Sequence, residues 1–336
     1  MTSVTHAAKG RLPELTLGRR RRAALTFISR YGAVIGLLAM IVFFAINAPG
    51  TFLSRANLLN ILSQASLTAI ISAGLTFTLV VGEFDLRIGN VASFIGLVVA
   101  GLMAKDRLPI PVSVALALMV GIAIGLINGF LVTKVRINAV IATIGVGTML
   151  TGVGFFYSAF PIAIGIPRAF TEISLGRVFG VPNPVYIMAG VVVIMWTILN
   201  RTDLGQRMQA VGGNIEAARL SGVRVDRMKM FAFATAGFCA ALTGVLLTSL
   251  LGSGTLAAVD GYLLDAFAAV FLGSATVREG QFHILGTLVG VLILAVGFNG
   301  LSIFGAPTYF QPIFKGGVLI LAVGMSTLAR RYAAAS

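Results

Sequence analysis

Apolar residues along this chain gather in solid runs, not in alternation with polar ones. Ten runs can be drawn, at roughly 31–48, 57–81, 88–104, 110–132, 138–160, 184–200, 230–251, 262–276, 283–304 and 312–329. Most approach the ~20 residues that a helix needs to cross ~30 Å of hydrocarbon. A membrane β-barrel would instead alternate apolar and polar positions. The pattern predicts an all-α integral membrane protein with about ten transmembrane or partly re-entrant helices. The runs at 88–104 and 262–276 are short and flanked by glycine and acidic residues, which suits broken or re-entrant helices. The longest connections, 161–183 and 201–229, leave no room for a soluble domain. The expected organisation is a basic tail over 1–30, a polytopic domain over 31–329 and a short tail over 330–336.

One pair of runs shares a pattern. Gly121, Gly125, Asn128 and Gly129 lie in the fourth run, and Gly286, Gly290, Asn299 and Gly300 in the ninth. Two halves of inverted topology would produce such an echo. Small residues four apart also simply let helices pack closely. Both readings stand on the sequence.

Composition agrees with the pattern. Of 336 residues, 57% are hydrophobic and 11% charged, less than half the ~25% charged content of a soluble domain. The net charge of +14 would suggest nucleic acid in a soluble protein. Here the basic residues follow the membrane rule that Lys and Arg collect on the cytoplasmic side. With a cytoplasmic N-terminus, nineteen of the 25 basic residues fall in inside segments and five in outside loops. Both termini are therefore expected in the cytoplasm, and no nucleic-acid partner is expected. The segment Arg19–Arg22 precedes a long apolar run without a small-residue cleavage site, so it reads as an anchor and not as a signal peptide. Irregular chain is expected up to about Arg22. The single cysteine, Cys239, lies in an apolar run and reads as a small core residue.

Several chemistries lack their residues. A phosphate cradle ends in Lys-Ser or Lys-Thr, but the five lysines precede Gly10, Asp106, Val135, Met230 and Gly316. ATP hydrolysis by this chain is not expected. His6, His283 and one cysteine predict no metal site, and no nucleophile–base–acid grouping predicts an enzyme.

The connection 201–229 carries a local signal. Asn214 suits an N-cap, Glu216 the positive first turn, and Gly222 a left-handed stop. The result is a two-turn helix over 214–221, too short to persist alone in water. It either docks on a partner protein or lies on lipid headgroups through Arg219, Arg224 and Arg227.

A resemblance bears on that choice. The run Gly212-Gly213-Asn214 through Glu216-Ala217-Ala218-Arg219-Leu220-Ser221-Gly222-Val223 resembles the coupling loop of the ribose-type permeases of bacterial ABC sugar importers. Gly82-Glu83-Phe84-Asp85-Leu86-Arg87-Ile88-Gly89 is similar to that family's G-G-I-D-L-S-V-G signature, and Thr143-Ile144-Gly145 resembles its T-L-G turn. The segment from Gly261 through Asp265 to Gly273 resembles its G-Y-E-L-D-A-I-A-A-V-V-L-G-G motif, with Gly286 and Gly290 further along. Four departures stand out: Glu83 in place of a glycine, Arg87 in place of a small polar residue, Ser274 in place of a glycine, and Thr151 where an arginine often sits.

The resemblance implies a monosaccharide or sugar-like cargo and a location in the bacterial inner membrane. It implies three protein partners: an ABC ATPase that binds ATP and Mg, a periplasmic or extracellular sugar-binding protein, and a second permease subunit, the same chain or another. Gly212, Gly213, Asn214, Glu216, Ala217, Arg219 and Gly222 are then the ATPase-coupling candidates. Glu83, Asp85, Asn128, Asp265 and Asn299 are candidates for the pathway or its gate, because polar groups in a bilayer are costly. The competing reading of these five is that they brace helices. Gly50–Leu53 and Asp260–Tyr262 are candidates for the binding-protein face. The alternative function is a secondary carrier in which Glu83, Asp85 or Asp265 relays protons or sodium.

Overall fold

The computed structural model describes residues 19–256, 261–274 and 280–335. The basic tail up to residue 18 and Asp260 lie outside them. The chain runs through α1 (Arg19–Asn47), α2 (Pro49–Phe52), α3 (Arg55–Val80), α4 (Ile88–Ala104), α5 (Ile110–Thr133), α6 (Ala139–Tyr157) and α7 (Arg168–Leu175). It continues through α8 (Asn183–Arg201), α9 (Asp203–Gly213), α10 (Ile215–Leu220), α11 (Val225–Leu251), α12 (Tyr262–Ser274), α13 (Ile284–Ile303) and α14 (Phe310–Ala335). Between α7 and α8, β1 (Arg177–Val178) and β2 (Val181–Pro182) pair antiparallel. Helix α1 begins at Arg19, so the last four residues of the segment expected to be irregular are helical.

The expected all-α membrane architecture is present. Among the described residues six helices, α3, α5, α6, α8, α11 and α13, are long and apolar enough to cross a bilayer. Shorter apolar helices occupy Gly32–Asn47, Ile88–Ala104, Tyr262–Ser274 and Phe310–Leu321. The ten expected segments are thus all helical, with six of full crossing length.

Burial divides the six. Most of the apolar stretch of α3, α11 and α13 is buried inside the protein, against about a third or less for α5, α6 and α8. The outer helices turn Ile141, Met149, Phe155, Phe156, Val193 and Ile194 outward. In water such a surface would aggregate, but against acyl chains it is matched.

With no hydrophobic drive between helices in lipid, close backbone approach does the packing. Gly121, Gly125 and Gly129 of α5 meet α11 at Gly237 and Ala241, at Phe233, and at Met230. Gly286 and Gly290 of α13 meet α12 at Gly273 and Ala269. Both glycine series are packing faces. A Cβ on Gly125 or Gly290 would strike the partner's backbone, so those positions exclude larger residues.

The packing has a regular form. Helix α3 packs on α13 as α5 packs on α11, and α3 on α12 as α4 on α11. The pairs α4–α5 and α12–α13, α4–α6 and α12–α14, and α5–α6 and α13–α14 correspond likewise. At the centre α3 and α11 cross each other in opposite directions, with Phe77 beside Phe231 (6.3 Å between centroids) and Gly74 against Ala236 and Cys239.

Candidate functional site

Two structures meet at the end of the bundle where α3 stops and α11 starts. The first is the connection from α8 to α11. Thr202 caps α9, its hydroxyl accepting from the Gly205 N–H at 3.3 Å. Met208 and Val211 are fully buried and fix α9 to the bundle. Asn214, in extended conformation, caps α10 by accepting from the Ala217 N–H at 3.0 Å. Glu216 in the first turn pairs with Arg219 at 3.2 Å. Gly222 adopts φ +80°, and the Val223 N–H returns to the Ala218 carbonyl at 3.0 Å. That closure needs a left-handed residue, which glycine supplies without a Cβ clash. The short helix expected from the sequence is present with the expected caps.

The α9 helix was not expected; 201–213 reads as loop. Its brevity and three glycines hide it, and burial of Met208 and Val211 stabilises it. Gly212 lies against the end of α3, where a Cβ would strike the Val80 carbonyl oxygen, whereas Gly213 faces open space. Of the α10 side chains only Ala218 is buried, and Leu220 is 89% exposed.

The second structure is the elbow between α3 and α4. Gly82 turns the chain at φ +82°, and the Glu83 N–H donates to the Thr78 carbonyl at 2.9 Å. Glu83 then pairs with Lys229 of α11, each side chain 16% exposed. Phe84 stacks on Phe267 and Phe271 of α12. Asp85 and Arg87 are fully buried and face each other at 3.0 Å. Arg87 also donates from Nη2 to the Phe233 carbonyl of α11 at 2.9 Å, with its guanidinium over the Phe233 ring. The Leu86 N–H donates to Thr143 Oγ1 of α6 at 3.2 Å. One six-residue turn is therefore held by α6, α11 and α12.

Residues 57–323, most of the chain, match the family described as a branched-chain amino acid transport system / permease component. The chain is 36% identical over 312 residues to the ribose import permease protein RbsC of Escherichia coli K12, covering 92% of this chain and 97% of that protein. The Bacillus subtilis ribose import permease protein is 35% identical, with 88% and 92% covered. The xylose transport system permease protein XylH of E. coli K12 is 29% identical, with 89% and 91% covered. The chain belongs to the ribose-type ABC permease family.

In this permease the five polar pathway candidates do not form one site. Glu83 and Asp85 share the elbow. Asp265 of α12 pairs with Lys315 of α14 at 2.7 Å, and Lys315 also donates to the Gly261 carbonyl at 3.2 Å. Asn299 of α13 is bonded to Asn57 of α3. Asn128 of α5 is fully buried, and neither amide atom has a hydrogen-bond partner among the described residues. Glu83, Asp265 and Asn299 are thus engaged across helix interfaces, whereas Asp85 is paired with Arg87 within the elbow itself.

The same geometry explains three departures from the family pattern. Glu83 and Arg87 each find a partner on one face of α11, at Lys229 and at Phe233, one turn apart. Thr151 accepts from the Asn90 amide at 3.1 Å across α4 and α6. Sequence reading missed Lys229, Lys315 and Asn57, whose partners lie up to 242 residues away. A cation at an apolar boundary facing an unmatched acid was the available signal for both lysines. Of the proposed binding-protein face, Phe52 is buried beneath Phe44 and cannot contact a partner, while Gly50, Thr51 and Leu53 are exposed.

Proposed function

We propose that this permease forms the translocation pathway of an ABC importer for a monosaccharide, driven by a separate ATPase and supplied by a sugar-binding protein. Relatives named for ribose and xylose import support the sugar class of the cargo. Two permease subunits enclosing one pathway, about ten spans arranged as two inverted halves, and both termini in the cytoplasm complete the reading. The exchange of helix pairs about antiparallel α3 and α11 supports the inverted halves. The basic residues of 201–229 support the orientation.

One observation carries the coupling role. Helix α10 is a six-residue helix with Leu220 at 89% exposure, and a helix this short needs a partner surface to hold it. It sits beside α9, whose Gly212 touches the end of α3. A partner that moves α10 therefore moves α3 and, through the elbow, α4. The gate reading of Glu83 and Asp85 rests on the same path: their ties to α11 and to Arg87 lie where α3 hands motion to α4. Asn128 remains the pathway candidate with unmet hydrogen-bonding capacity, suited to sugar hydroxyls.

The test is ATPase activity of the complex of permease and ATPase reconstituted with its binding protein. Glu216→Lys combined with Arg219→Glu keeps the pair within α10 but reverses its surface. Loss of binding-protein-stimulated hydrolysis, with the permease still inserted and folded, is expected. Undiminished stimulation would remove α10 from the coupling path. The charged residues give a proton- or sodium-driven carrier no support, since Glu83, Asp85 and Asp265 each face a cation.

A further inference from the structure

A cavity of about 320 Å³ opens between the α5–α6 turn, α10 and the start of α11. Its lining includes Thr133, Arg136, Ile215, Arg219, Asp226 and Lys229. Three cations face it against one carboxylate. That carboxylate, Asp226, is already taken by Lys134 at 2.7 Å. Arg219 is shared with Glu216, and Lys229 with Glu83. Arg136 has no ion pair or hydrogen bond among the described residues, and it holds a left-handed backbone (φ +65°) that is unfavourable for a residue with a Cβ. Strained residues of this kind gather at ligand clamps.

The position of the cavity selects its ligand. The turn that carries Arg136 joins two of the helices with the least buried apolar stretches. Phe130 and Val135 before it, and Val140 and Ile141 after it, are exposed. A basic pocket that borders hydrocarbon-facing side chains offers a phosphate site at headgroup depth, with room alongside for acyl chains. Basic pockets between transmembrane helices on the cytoplasmic side bind anionic headgroups in this way. An acidic segment of a soluble partner would match the cations but leave these apolar residues uncovered.

We infer that the cavity between Arg136, Arg219 and Lys229 binds the phosphate headgroup of an anionic phospholipid, placing a lipid against the coupling helix. The choice of leaflet rests on the proposed orientation; the headgroup chemistry does not.

The test uses the full-length purified chain in detergent, with bound lipid counted by native mass spectrometry during titration with phosphatidylglycerol or phosphatidylcholine. Preferential retention of phosphatidylglycerol is expected. Arg136→Gln should weaken it about tenfold, the loss expected for one charge-assisted hydrogen bond. Arg136→Lys should largely retain it, and Arg107→Gln, in the α4–α5 connection, should leave it unchanged. Equal retention by folded Arg136→Gln overturns the assignment, as does glycerol phosphate alone competing at the same concentration as the lipid. Unchanged lipid retention with weakened hold on the ATPase would overturn it in favour of an acidic protein segment. Labelling of Arg136→Cys by a membrane-impermeant maleimide reports the leaflet separately, because Cys239 is buried. A failure of the orientation then cannot be mistaken for a failure of the lipid site.

Discussion

Asn57 and Asn299 exchange two hydrogen bonds across the α3–α13 interface, each amide donating to the other's carbonyl oxygen, at 3.0 and 2.8 Å. The Asn57 amide also reaches the Phe52 carbonyl at 2.9 Å, so the pair ties α2, α3 and α13 together. Further along the same interface Thr76 and Thr287 hydroxyls meet at 2.9 Å. These are the polar contacts that hold membrane helices in register where hydrophobic burial offers no preference.

Replacing Asn57 leaves the buried Asn299 amide without its partner, which costs more than the bond itself contributes. Asn57→Leu is expected to lower stability in the bilayer by about 1–2 kcal/mol. The Asn57→Leu/Asn299→Leu double variant should lose less than the sum of the singles. Reversible unfolding in mixed micelles would measure the cycle; additive losses would show that the two amides act independently.

Glu83 and Lys229 form the second such pair, and it is charged. Removing one member leaves a largely buried charge unpaired. Lys229→Met alone should destabilise the elbow by about 2 kcal/mol or more, and Glu83→Gly combined with Lys229→Met should recover most of that loss. Thermal unfolding of the three variants checks this. A double variant no better than Lys229→Met would mean that Lys229 is held by something other than Glu83.

Adjacent glycines in α9 make a matched test. Gly212→Val places side-chain atoms where the Val80 carbonyl stands, whereas Gly213→Ala enters open space. The first should reduce binding-protein-stimulated ATPase activity at least tenfold or block assembly, and the second should leave it near the native level. Equal behaviour would mean that α9 does not bear on α3 during transport.

Leu220 is exposed, so Leu220→Glu should insert and fold normally. Its predicted effect is on the partner: co-purification of the ATPase with the permease should fall about tenfold or more, as for loss of an apolar anchor at an interface. Unchanged co-purification would place the docking surface elsewhere.

The unequal legibility of this molecule has physical causes. Signals carried by adjacent residues read correctly: the cap at Asn214, the stop at Gly222 and the apolar runs each depend on a few neighbours in the chain. Helix α9 was invisible because two buried side chains hold it, and their burial is a tertiary fact. The roles of Asn299 and Asp265 are not legible in the sequence, because Asn57 and Lys315 reach them only through folding. The glycine series in α5 and α13 was readable as small-residue spacing, but which helix each series meets was not.

Gly212 against the Val80 carbonyl is a joint with no side chain in it. Side chains at helix crossings can change rotamer and so take up small displacements, whereas backbone pressed on backbone has nothing to give. On the proposed coupling role of α10, a stroke delivered there would reach α3 with little slack, and the stiffness of that junction would set how small a rearrangement of the ATPase still registers in the membrane.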